Sequence, residues 1–130
     1  MATNTRVFTD LDLDFGKHPV TGDVNRVFND VAVKRSIRNL LKYNFYEKPW
    51  EPEFGANLTG QLGELHGPFA DNSIKDRIIH LIRTEEPRAS LVHVQVRNEP
   101  DNNSLFASIT FTLVNFPNEI TVDVFLDRLR

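Results

Sequence analysis

Apolar residues recur along this chain with one period in its middle and another towards its end, and the change of period divides the fold. Behind Asn29 or Asp30, either of which can cap a helix, Val33, Ile37, Leu40 and Leu41 follow the i, i+4, i+7, i+8 spacing of one buried face as far as about Tyr43. Lys34, Arg35, Arg38 and Lys42 occupy the other face. The pattern repeats in Ile74, Ile78, Leu81 and Ile82, with Asp71, Asn72 or Ser73 as caps. Beyond Pro87 the period drops to two. Val92, Val94 and Val96 alternate with His93, Gln95 and Arg97. Leu105, Ala107, Ile109, Phe111 and Leu113 alternate mostly with hydroxyl residues, and Ile120, Val122, Val124 and Leu126 alternate with Thr121, Asp123, Phe125 and Asp127. The connections Glu99 to Asn103 and Phe116 to Asn118 suit antiparallel hairpins. The predicted class is α+β, with helices packed on one face of a small antiparallel sheet that ends in a C-terminal β-meander.

The N-terminal part is read less directly. Phe8 to Phe15 alternates Asp10, Asp12 and Asp14 with Leu11, Leu13 and Phe15, the period of a half-buried strand. His18 to Asp23 reads as turns. Pro49-Trp50-Glu51-Pro52-Glu53-Phe54-Gly55 is expected to be a structured loop, anchored on the core by Trp50 and Phe54 and closed by a glycine suited to a left-handed turn. Asn57 can cap a short helix through Leu65, weakened by Gly60 and Gly63. No repeat or low-complexity tract interrupts a single domain spanning residues 1–130.

Composition narrows the function. At 130 residues and 40% hydrophobic content, the chain can bury a core without staples, and the absence of cysteine excludes disulfides, thiolate metal sites and cysteine nucleophiles. The N-terminus lacks an apolar signal region and no apolar run reaches the roughly 18 residues that span a bilayer, so a soluble protein without membrane partners is expected, cytoplasmic where made. A net charge of −3 gives no general attraction to nucleic acid. Asp10, Asp12 and Asp14 imitate the start of a calcium loop, but Phe15 replaces its glycine and Thr21 its final glutamate. His18, His66, His80 and His93 are scattered. The basic stripe of the first helix has no phosphate loop or stacking motif beside it and reads as a solvated face or a surface for an acidic protein. No catalytic residue, cofactor site or metal site is assigned. Glu51 and Glu53 beside Trp50 are the nearest approach to the carboxylate pair of a peptidoglycan glycoside hydrolase, but a turn explains them more simply.

The segment Thr84-Glu85-Glu86-Pro87-Arg88 contradicts local preference. Pro87 ends the second helix near Glu85 or Glu86, leaving two carboxylates at the negative end of the helix dipole. Arg88 can fold back on a glutamate as a bidentate pair, or the motif can meet donors on another protein. As an exposed pair it would contribute roughly 0–1 kcal/mol to the monomer.

These residues together carry a resemblance. The acidic strand Phe8-Thr9-Asp10-Leu11-Asp12, the helix Val33 to Leu41, the Trp50 to Gly55 loop, Glu86-Pro87-Arg88 and the C-terminal meander, in that order, resemble the baseplate wedge family of contractile phage tails, gene product twenty-five-like and often labelled lysozyme-like. The resemblance implies a structural subunit of the virion tail baseplate, assembled in the host cytoplasm. It implies that Glu86, Pro87 and Arg88 bind the helical bundle of larger wedge subunits. It also implies a fold similar to the inner domain of the tail sheath protein, which would let the chain template the first sheath layer. The C-terminal strand, with Ile120, Val122, Asp123 and Val124, is the candidate sheath-facing edge, since an edge strand keeps backbone groups available for a cognate strand.

Overall fold

The computed structural model describes residues 8–58, 68–99, 101, 104–114 and 116–127. A short antiparallel hairpin comes first, β1 (Thr9–Leu11) against β2 (Arg26–Phe28), extended by a bridge between Lys17 and Val24. Helix α1 (Asn29–Lys42) follows directly, and helix α2 (Pro68–Glu85) leads into strands β3 (Ala89–Glu99), β4 (Ser104–Leu113) and β5 (Phe116–Asp127). The last three form one antiparallel sheet in the order β3-β4-β5. The α+β class and the meander are therefore as the periodicity predicts.

Alternation places the core. Leu105, Ala107, Ile109, Phe111 and Leu113 of the central strand are buried and meet Val94 of β3 and Val122 and Val124 of β5 on the same face. Both helices cover that face, α1 with Val33, Ile37, Leu40 and Leu41 and α2 with Ile74, Ile78, Leu81 and Ile82. All eight helical positions match the spacing read from the sequence. The ladder shifts register between Leu91 and His93 and between Thr112 and Leu113. In the centre of the sheet, the 110–121 pair places two threonine hydroxyls 3.3 Å apart on the uncovered face.

Several expectations need correction. Helix α1 begins at Asn29 with Phe28 in the cap position, so neither Asn29 nor Asp30 caps it, and residues 116–118, expected as a connection, are the first residues of β5. Helix α2 starts at Pro68, before Asp71, Asn72 or Ser73, because a proline is well tolerated in a first helical turn. The strand expected over Phe8 to Phe15 is only three residues long, and its acidic positions are the inner ones: Leu11, Leu13 and Phe15 are exposed, whereas Asp10 and Asp12 are half-buried. Trp50 is no anchor, being 97% exposed. Phe54 alone packs on the core, edge-on to Tyr43 with ring centroids 5.3 Å apart and Lys48 above its ring. Gly55 behaves as expected: its φ is +104°, and a Cβ there would lie 2.6 Å from the Tyr43 carbonyl oxygen. Apart from Asn57 and Leu58, the helix read over Asn57 to Leu65 lies outside the described residues, as does His66.

Candidate functional site at the end of helix α2

Helix α2 ends where the pre-proline rule places it, with Glu85 its last residue. The Glu86 N–H still donates to Ile82 at 2.9 Å, and the Glu86 carbonyl accepts from Ala89 at 3.2 Å, so Pro87 turns the chain from helix into β3 within a closed turn. Val114 donates to the Arg88 carbonyl at 3.2 Å, fixing the other side. This backbone frame aims two charged side chains at each other.

Glu86 is 2% exposed. Its Oε1 accepts from Arg88 Nε at 2.6 Å, and its Oε2 accepts from Arg88 Nη2 at 2.9 Å and from the Ser36 hydroxyl of α1. The fork then continues outward: Arg88 Nη1 and Nη2 donate to the two oxygens of Asp10 at 3.0 and 3.2 Å, and its guanidinium stands 5.8 Å from the Phe8 ring centroid. One planar cation thus ties together the hairpin, both helices and the start of β3, a geometry only arginine supplies. Burial raises the Glu86 pKa, but the hydrogen bonds from Arg88 and Ser36 outweigh it, and the carboxyl lies below the usual glutamate range. The hydrogen bonds to Glu86 raise the Arg88 pKa in turn.

A second pairing sits beside the first. The Asp12 Oδ1 accepts from the Asp14 N–H and from Arg35, whose Nη2 also reaches Asp14 Oδ2 at 3.4 Å. The Asp14 amide and then Arg35 lower the Asp12 pKa. The acidic alternation that imitates a calcium loop therefore serves two arginines. Among the described residues no group of three or more histidines and carboxylates is placed to hold a metal ion. In the basic stripe, Arg35 is engaged with the hairpin while Arg38 and Lys42 face solvent.

The hairpin's outward leucines border a groove of about 540 Å³ that runs from Asp10, Arg35 and Ser36 to Tyr43 and Phe54 along α1, with Leu11, Leu13, Val27 and Leu40 in its walls. Sequence reasoning missed this groove. No local signal gave it, because the pairing of Asp10 with the half-buried Arg88, which turns the aspartate inward and its leucine neighbours outward, is a tertiary contact.

The candidate site residues fall in two places. Glu86, Pro87 and Arg88 lie together in the network, with Pro87 exposed and 24% of the Arg88 side chain in solvent. Ile120, Val122, Asp123 and Val124 lie on β5, an outer strand of its sheet; Val122 and Val124 point into the core and Asp123 points out. Glu51 is exposed and paired with Lys48 at 2.7 Å, and Glu53 is exposed. Among the described residues Glu86 is the buried acid, and its environment stabilises the ionised form, the opposite of what a glycosidase general acid requires.

The Glu86 environment predicts a specific acid sensitivity. A carboxyl with a lowered folded-state pKa contributes stability above its ordinary value of about 4.5, and that contribution disappears as the pH falls through the folded-state value. Urea unfolding of the wild type should therefore weaken below about pH 4.5, and Glu86→Gln should flatten this part of the profile. An unchanged profile in the variant would show that Glu86 does not supply this dependence.

Comparison with known proteins places the chain. A family model described as baseplate wedge protein gp25 matches residues 29–118. Baseplate wedge protein gp25 of Enterobacteria phage T4 is 28% identical over 120 residues, covering 92% of this chain and 90% of its own length. The fold is similar to the crystal structure of a protein from Geobacter sulfurreducens provisionally named a tail lysozyme, with a TM-score of 0.67 at 16% identity over 80% of this chain and 96% of that one. It is also similar to a chain of the anti-feeding prophage baseplate, with a TM-score of 0.61 at 18% identity over 95% of this chain and 87% of that one. A chain of the postcontracted pyocin R2 baseplate gives a TM-score of 0.51 at 14% identity, over 88% of this chain and 98% of that one. With both helices, the turn motif and strands β3 and β4 in the matched region, the chain belongs to the baseplate wedge protein gp25 family.

Proposed function

We propose that this chain is a non-enzymatic structural subunit of a contractile-tail baseplate. It binds larger wedge subunits at the surface around Glu86-Pro87-Arg88 and offers β5 to the first layer of sheath. The observation that carries this reading is the Asp10–Arg88–Glu86–Ser36 network, which locks four elements at the edge of an open, partly apolar groove. Glu86 positions Arg88 within that network. Arg88, Asp10 and Pro87 keep solvent-facing surface for the partner, and Leu11, Leu13, Val27 and Leu40 give the groove an apolar lining that can take the apolar face of an amphipathic helix. A ligand of this kind agrees with the helical bundle expected from the resemblance. The reading as a peptidoglycan hydrolase draws no support from Glu86, whose partners favour its ionised form, and the name given to the Geobacter protein belongs to that protein.

Two features of β5 support the sheath role. It is a 12-residue strand and, among the described residues, pairs on one side only, with β4. The exposed Asp123 limits indiscriminate pairing while leaving the backbone available. Hydrogen exchange tests this directly. In the free chain, alternate amides of β5 should exchange quickly, and they should become protected when sheath polymerises on baseplates that contain the chain. Continued rapid exchange in sheathed particles would exclude strand addition at β5.

A further inference from the structure

Residues 43–55 carry the chain away from α1 and back to the core, and their aromatic side chains are used in opposite ways. Phe54 is packed, whereas Tyr46 is 84% and Trp50 97% exposed. Both exposed residues also hold left-handed backbone, with φ of 68° and 65°, a conformation that bulky side chains disfavour. Such geometry persists where the surroundings over-determine it. Here the Tyr46 N–H donates to the Pro52 carbonyl at 2.8 Å, and the Phe54 N–H donates to the Glu51 carbonyl at 3.2 Å. The Glu47 carboxylate accepts from the Asn44 N–H at 2.9 Å, and Lys48 is tied to Glu51 at 2.7 Å. The loop is therefore a braced platform that holds an indole in water.

A pre-ordered tryptophan loses little conformational freedom on binding, and tryptophan is among the residues most enriched at the energetic centres of interfaces. The surrounding charge defines the partner. Between Tyr46 and Phe54 stand Glu47, Glu51 and Glu53 against the single cation Lys48, which is already engaged by Glu51 and by the Phe54 ring. We propose that this loop docks on a basic protein surface of the assembled particle, with a partner arginine stacked on the Trp50 indole and neighbouring cations facing Glu51 and Glu53. Trp50, Glu51 and Glu53 lie outside both the Glu86–Arg88 network and the lining of the groove, so the two surfaces can be tested independently.

The test uses the full chain in assembled particles. With the photoreactive substitution Trp50→p-benzoylphenylalanine, irradiation should join position 50 to a protein segment that contains arginine, mapped by mass spectrometry. Trp50→Ala should reduce incorporation about tenfold or more and Glu53→Lys should reduce it severalfold, both with the unfolding midpoint unchanged, and Trp50→Phe should reduce it less than Trp50→Ala. The proposal is overturned if assembled particles give no adduct, if the adduct lies in a segment without basic residues, or if Trp50→Ala is incorporated at the wild-type level. These results stand whether or not variants of the α2 motif retain wedge binding.

Discussion

Arg88→Ala is expected to destabilise the isolated chain by roughly 2–4 kcal/mol, well above the range for a surface ion pair. Removal of the guanidinium leaves the Glu86 carboxylate, 2% exposed, with the Ser36 hydroxyl as its remaining side-chain donor, and releases Asp10 from the hairpin clamp. A fully buried pair would lose more, but 24% of the Arg88 side chain is in water and solvent can partly replace it. Arg88→Lys should fall between the wild type and alanine, because an ammonium can satisfy one carboxylate but cannot bridge two with a planar fork. Glu86→Gln should cost less than Arg88→Ala, since it removes the buried charge and leaves Arg88 its pair with Asp10. Urea midpoints at neutral pH with unchanged slopes would measure all three. A loss under 1 kcal/mol for Arg88→Ala would show that the network does not hold the monomer together. Its expected size also means that lost assembly by this variant cannot by itself be credited to a missing contact.

Phe111→Ala should be the most damaging truncation in the sheet, at about 3–5 kcal/mol. Phe111 is fully buried in the central strand, with Leu91 and Ile120 opposite it on the flanking strands, and both helices pack over that face. The void cannot collapse easily, because β4 is hydrogen-bonded on both sides and cannot move towards the helices without breaking its ladders. Phe106→Ala, on the same strand but with its side chain on the outer face, should cost far less. Thermal unfolding of the two variants makes the comparison, and similar losses would mean that the two faces of β4 have been misassigned.

The difference between Phe111 and Phe106 was readable in the sequence, because in a long strand apolar and hydroxyl residues mark the two faces unambiguously. The same applies to Ile37 and Ile78 on their helices. The N-terminal hairpin was not readable in this way. A period of two shows that Leu11 and Leu13 share one face and Asp10 and Asp12 the other, but not which face turns inward, and here Arg88 and Arg35 decide it from distant positions in the chain. Strand β2 is three residues, too short for periodicity to register. Trp50 was misplaced for a related reason: hydrophobicity predicts burial on average, whereas a loop braced by its own backbone can hold an aromatic residue outward. The intramolecular option for Arg88 was visible in the spacing of Glu86 and Arg88, but its extension to Asp10 and Ser36 depends on tertiary contacts.

The exposed leucines give the most direct test of the functional account, because Leu11 and Leu13 are 59% and 49% exposed and can be changed without opening the core. The measurement is the affinity of the purified chain for the large wedge subunits, comparing the wild type with the double variant Leu11→Gln, Leu13→Gln, which adds no charge beside Asp10, Asp12 and Asp14. The account predicts an unfolding midpoint close to wild type and a loss of wedge binding of about tenfold or more, as for polar amides forced into an apolar contact. Wild-type affinity in a folded double variant would contradict it.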